Sequence, residues 1–171
     1  MNKQLMWVSA ILPKQINDQI SNVCLSNNLD IKLSERFFKF PLHISLKRTF
    51  YTNDYLSVKD DLKTILHNQT ITINNLKPII NSNMIWLEFE NNNKIIEIHK
   101  QIDKLLLDKY NIPIDEFDRI YHPHVTIFRN ENINKLDKMY SRIKDLIIKE
   151  DVLIDTYAMG TNLDNNEFYK V

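Results

Sequence analysis

The chain has 171 residues, 43% hydrophobic and 26% charged, with 22 basic side chains balanced by 22 acidic ones. That is enough for one domain with a sizeable core, and the neutral balance removes any global field drawing the protein to long nucleic acid or an anionic membrane. No apolar run approaches the ~20 residues that span a bilayer, and a single glycine, Gly160, excludes a P-loop or a Gly-rich dinucleotide loop.

In chain order, residues 5–12 are short and continuously apolar, as in a central strand, and lack the cleavage site of a signal peptide. After Pro13, the positions Ile16, Ile20, Val23 and Cys24 recur at helical spacing, predicting a helix to about Asn28. Cys24, the only cysteine, has no intrachain disulfide partner; on that stripe it reads as a buried, inert thiol, which fits a reducing cytoplasm. A charged, aromatic loop over 35–40 precedes a strand over 43–50. Asn53 or Asp54 can then cap a helix with the stripe Tyr55, Val58, Leu62, Ile65 and Leu66. Strands over 70–76 and 84–90 are expected to join through Pro78 and the turn Asn81-Ser82-Asn83.

From about Asn93 the order begins again. A helix carries Ile95, Ile98, Ile102, Leu105 and Leu106, and a loop holds Pro113 and Phe117. A strand over 124–129 follows, then a helix with Ile133, Leu136, Tyr140, Ile143 and Ile147, and final strands near 152–159 and 167–171. Corresponding elements lie about 80 residues apart, the signature of an internal duplication of architecture. The expected organisation is one α+β domain made of two pseudo-symmetric lobes, with repeat units at roughly 14–90 and 94–171. Packed about an approximate two-fold axis, two such halves bring equivalent strands to opposite sides of one cleft.

The equivalent strands carry the chemistry. Pro41-Leu42-His43-Ile44-Ser45-Leu46 is matched 81 residues later by His122-Pro123-His124-Val125-Thr126-Ile127. On a strand, His43 and Ser45 share one face, as do His124 and Thr126, with aliphatic residues on the other. Five histidines and 16 Ser or Thr residues predict roughly half an occurrence of His-x-Ser/Thr by composition, so the weight lies in two occurrences at the same place in both halves. Two imidazoles across a cleft supply a general base and a general acid near neutral pH. Hydroxyls two residues along can donate to a group held between them. A phosphodiester suits this arrangement: one oxygen is deprotonated, another is protonated, and charge grows on the non-bridging oxygens.

The two motifs resemble the defining tetrad of the 2H phosphoesterase superfamily, the LigT-like 2′-5′ RNA ligase and cyclic phosphodiesterase group. The opening Leu5-Met6-Trp7-Val8-Ser9-Ala10-Ile11-Leu12-Pro13 is similar to that family's first strand, and Thr161-Asn162-Leu163 with Tyr169 to its closing hairpin. The resemblance implies a bilobal α+β fold, with duplicated lobes of antiparallel sheet flanked by helices around a central cleft. It also implies cofactor-free, metal-free action on 2′,3′-cyclic phosphates, 2′-5′ linkages or cyclic nucleotides. His43 and His124 are then the catalytic residues, and Ser45 and Thr126 hold the phosphate. The expected partner is a nucleotide or an RNA terminus, with no membrane and no obligate protein partner. A catalytically idle module binding nucleotide or RNA ends in the same cleft is the alternative.

Strand parity adds candidate substrate contacts. Lys47 falls on the His43 face, Trp86 on the polar face of its strand for base stacking, and Phe128 on the Thr126 face. Tyr121 and the aromatic loop over 37–40 border the motifs as a rim. His99 and His67 read as structural. His122 and His124 at i, i+2 form a competing metal pair, which the intervening Pro123 and the lack of a nearby carboxylate cluster argue against.

Overall fold

The computed structural model describes residues 3–25 and 40–160, with the backbone of 166–170. The loop positions 35–39, the helical expectation beyond residue 25 and Thr161-Asn162-Leu163 lie outside the described residues. The chain runs β1 (Gln4–Ile11), α1 (Lys14–Leu25), β2 (His43–Thr52), α2 (Tyr55–Leu66), β3 (Ile71–Asn81), β4 (Met84–Glu90) and α3 (Asn93–Tyr110). It continues with α4 (Glu116–Arg119), β5 (Val125–Arg129), α5 (Ile133–Ile143), β6 (Val152–Ile154), β7 (Thr156–Gly160) and β8 (Asn166–Lys170). This is an α+β architecture.

Local chemistry accounts for the boundaries. Asp54 caps α2 by accepting from the Ser57 amide, and Asn132 caps α5 from the Asn134 and Lys135 amides. Asp115 and Asp118 form a reciprocal capping box that nucleates α4, a helix inside the loop the sequence pattern left irregular. In a chain with one glycine, the left-handed positions fall to Asn68, Asn75, Ser82, Asn91 and Asn111, with φ of 52–61°. Asparagine tolerates that region because its side chain bonds locally. β3 continues through Pro78, where a break was expected. β6 borders β3 over Ile71 to Ile73, so among the described residues β4 is the one strand partner at Pro78, and the missing N–H falls on the side away from β4.

All the strand pairings are antiparallel, in the order β6-β3-β4-β5-β2-β1-β7-β8. The single strand expected near 152–159 is split at Asp155: β6 pairs with β3, and β7 pairs with β1. One residue therefore joins strands from remote places in the sheet order, and since it spans only about 7 Å, the sheet must curl until it nearly closes. From the β5–β2 junction outwards, the order reads β2, β1, β7 on one side and β5, β4, β3 on the other. Each three-strand set thus mixes both halves of the chain.

The helices cover one sheet face. Ile20, Leu62, Ile98, Ile102 and Leu136 pack there with Ile44, Leu46, Leu87, Val125 and Ile127 in one core. Cys24 lies in that core, and burial pushes its thiol up to about 12. A ring of this few strands has no room for helices inside, so the face they leave uncovered lines the inside of the curl. Trp7 packs there with Phe40, Ile11 and Ala158 in a separate small apolar cluster. Among the described residues, no helix is long and apolar enough to cross a membrane.

Candidate active site

The two motif strands meet at one pair, Ile44↔Val125. Both side chains are fully buried on the helix side. Directly opposed residues of an antiparallel pair share a face. Extending the register by one residue therefore sets His43 across from Thr126 and Ser45 across from His124, all on the uncovered face. All four side chains are half-buried.

The imidazoles are held alike. His43 Nδ1 lies 3.0 Å from the Pro41 carbonyl oxygen, and His124 Nδ1 lies 2.8 Å from the His122 carbonyl oxygen. A carbonyl only accepts, so each Nδ1 carries a proton and donates, and the neutral ring has its lone pair on Nε2. The acceptor that fixes each tautomer is the backbone two residues earlier, a detail the sequence pattern leaves open.

Their surroundings differ. Phe40 meets His43 edge-on, ring centroids 4.9 Å apart, and Trp7 meets Phe40 in turn at 5.2 Å. Trp86 lies flat on His124, centroids 3.7 Å apart and planes 13° apart. Burial holds the His124 imidazole below the usual histidine range; the His122 carbonyl opposes that shift and the His122 ring adds to it. Trp86 is on the predicted face, across from Thr126, but one side of its indole is committed to His124. Trp86→Ala is therefore expected to raise the His124 midpoint toward the ordinary 6.5, as read by NMR titration of the imidazole. An unchanged midpoint would show that the indole does not set it.

Lys47 and Phe128 are not on this face, and the same irregularity removes both. Ser9 pairs with Ser45 and Val8 with Lys47, so Leu46 is an extra residue in β2. Trp86 pairs with Thr126 and Ile85 with Phe128, so Ile127 is an extra residue in β5. A β-bulge thus follows each motif at the same position and turns the residue four beyond each histidine to the helix side. Phe128 joins the main core. Lys47, 4% exposed, bonds Asp103 Oδ1 at 2.6 Å and also Asp118 Oδ2.

Tyr121 is likewise engaged by the protein. Its hydroxyl donates to the Ser45 carbonyl at 2.8 Å, and its ring stacks on buried His99 at 3.8 Å. Burial, then the charges of Asp103 and Asp118, push the phenol well above its ordinary value. His122 is exposed, with Nε2 3.8 Å from Glu88 Oε1. Among the described residues, His99, Asp103 and Asp118 are the group that brings metal-ligating atoms together, within 4.8 Å. The Lys47 ammonium already bonds both of its carboxylates.

Comparison with known proteins bears on the family and the fold. The family model of the 2′-5′ RNA ligase superfamily matches residues 13–164. No curated protein sequence matches. Apo E. coli LigT is similar in structure at a TM-score of 0.58 and 12% identity, over 100% of this chain and 96% of LigT. E. coli LigT complexed with 3′-AMP gives 0.56 at 13% identity, over 99% and 96%. A structure described as a phosphoesterase gives 0.51 at 13% identity, with the same coverage. At such identities the likeness is one of fold.

Proposed function

Because the chain belongs to the 2′-5′ RNA ligase superfamily, we propose that it is a metal-independent phosphodiesterase acting on 2′,3′-cyclic phosphate, 2′-5′-linked or cyclic nucleotide substrates. The observation that carries this reading is the arrangement of His43, Ser45, His124 and Thr126 on one uncovered face, both imidazoles fixed through Nδ1. For a 2′,3′-cyclic phosphate, the neutral Nε2 of one histidine takes a proton from water as the water oxygen bonds to phosphorus. The Nε2–H of the other gives its proton to the ribose oxygen whose bond to phosphorus breaks. Ser45 Oγ and Thr126 Oγ1 donate to the non-bridging oxygens, where charge accumulates. The depressed His124 is neutral over more of the pH range, which suits it to the base role in hydrolysis.

The same reading treats the chain as one domain of two related lobes, in which each side of the β2–β5 junction draws its three strands from both halves of the chain. The absence of net charge favours a small substrate over long RNA, which rewards a basic surface. E. coli LigT has been crystallised with 3′-AMP, ATP and NADP+, and we extend nucleotide binding to this chain on that basis.

The test is turnover, in EDTA, of nucleoside 2′,3′-cyclic monophosphates, a 2′-5′ oligoadenylate and cyclic dinucleotides. At least one is expected to be hydrolysed despite the chelator. Tight binding without turnover of any would favour an idle binding module instead.

A further inference from the structure

We infer that Lys47, Asp103, Asp118, His99 and Tyr121 form a clasp on the helix side of the sheet that positions the first motif against the second. Granting that the tetrad is the active site, they are positioning residues for it.

The two motif strands need such a device, since one residue pair joins them. The bulge at Leu46 also disrupts the ladder beside Ser45, where backbone carbonyls require other donors. The clasp supplies them. His99 Nδ1 lies 2.7 Å from the Leu46 carbonyl oxygen, and the Tyr121 hydroxyl donates to that of Ser45 at 2.8 Å. His99 Nε2 is 3.3 Å from Asp103 Oδ2, and Lys47 joins Asp103 on α3 to Asp118 on α4.

Asp118 stands six residues before His124, in the segment that leads into the second motif. Surface hollows of about 520 and 530 Å³ flank this segment, and Asp118 lines both. The buried ion pair thus stands between two surface hollows. A displacement of Asp118 or Tyr121 reaches Ser45 through its carbonyl and His124 through the short chain between. Misplacement by about 1 Å in such a site costs on the order of 100-fold in rate.

Two variants test this. Tyr121→Phe removes one hydroxyl and keeps the ring on His99; Asp118→Asn removes the charge and keeps the shape. In both, the Ser45 amide and the imidazole signals of His43 and His124 are expected to shift in NMR spectra of the free protein. For a substrate that the wild type turns over, kcat should fall roughly 10- to 100-fold, with KM within about twofold. If Asp118→Asn does not fold, Tyr121→Phe decides. Motif signals at wild-type positions, with wild-type kcat, would overturn the clasp. Shifted signals in a protein with no wild-type turnover would uphold it and count against the phosphodiesterase reading alone.

Discussion

His43→Ala and His124→Ala are each expected to lower kcat by roughly 10²- to 10⁴-fold, the worth of a positioned acid or base. That corresponds to about 3–5 kcal/mol of transition-state stabilisation. Neither ring is part of the packed core: both are half-buried on the uncovered face, while Ile44 and Val125 carry the burial behind them. Melting temperatures should therefore move far less than rates. Groups that act as a unit are not additive, so the double variant should fall little below the worse single one. Wild-type turnover in either single variant would remove that histidine from the mechanism.

Lys47→Met should be the costliest change to stability. The lysine lies 4% exposed between two carboxylates that are themselves 6% and 7% exposed. Removing it leaves two buried carboxylates without the ammonium that joined them, a loss on the order of 3–5 kcal/mol. For a chain of this size that lowers the melting temperature by roughly 6–20 °C. Charge, rather than volume, is the cause, so adding Asp103→Asn and Asp118→Asn to Lys47→Met should recover more than half of the loss. A single variant as stable as wild type would mean that the ion pair is solvated in solution.

The motif faces were legible because strand parity is local: Ile44 and Val125 could be assigned to the core, and their neighbours to the open face, from sequence alone. Lys47 and Phe128 escaped because parity fails at a bulge. The inserted residues, Leu46 and Ile127, are ordinary core aliphatics that carry no glycine or other turn signature. The Asp155 break did leave a trace: the buried pairs Val152/Ile154 and Tyr157/Met159 are out of phase, so no single strand places both on one face. The clasp joins positions 47, 99, 103, 118 and 121 from three parts of the chain, so no window contains it. One trace was present: His99 and Asp103 stand at i, i+4 among the apolar positions Ile95, Ile98, Ile102 and Leu106 of α3, where a polar pair needs partners.

The proposed chemistry uses two histidines, one neutral and one protonated, and no metal. The most direct measurement is the pH dependence of kcat/KM in EDTA, for whichever cyclic or 2′-5′-linked substrate turns over. A bell-shaped profile is expected, because turnover requires one ring in each state. The limb lost as pH falls should lie below 6.5, since that is the direction in which His124 is shifted. Turnover abolished by EDTA and restored by a divalent ion, or a rate that climbs steadily with pH and shows no descending limb, would contradict it.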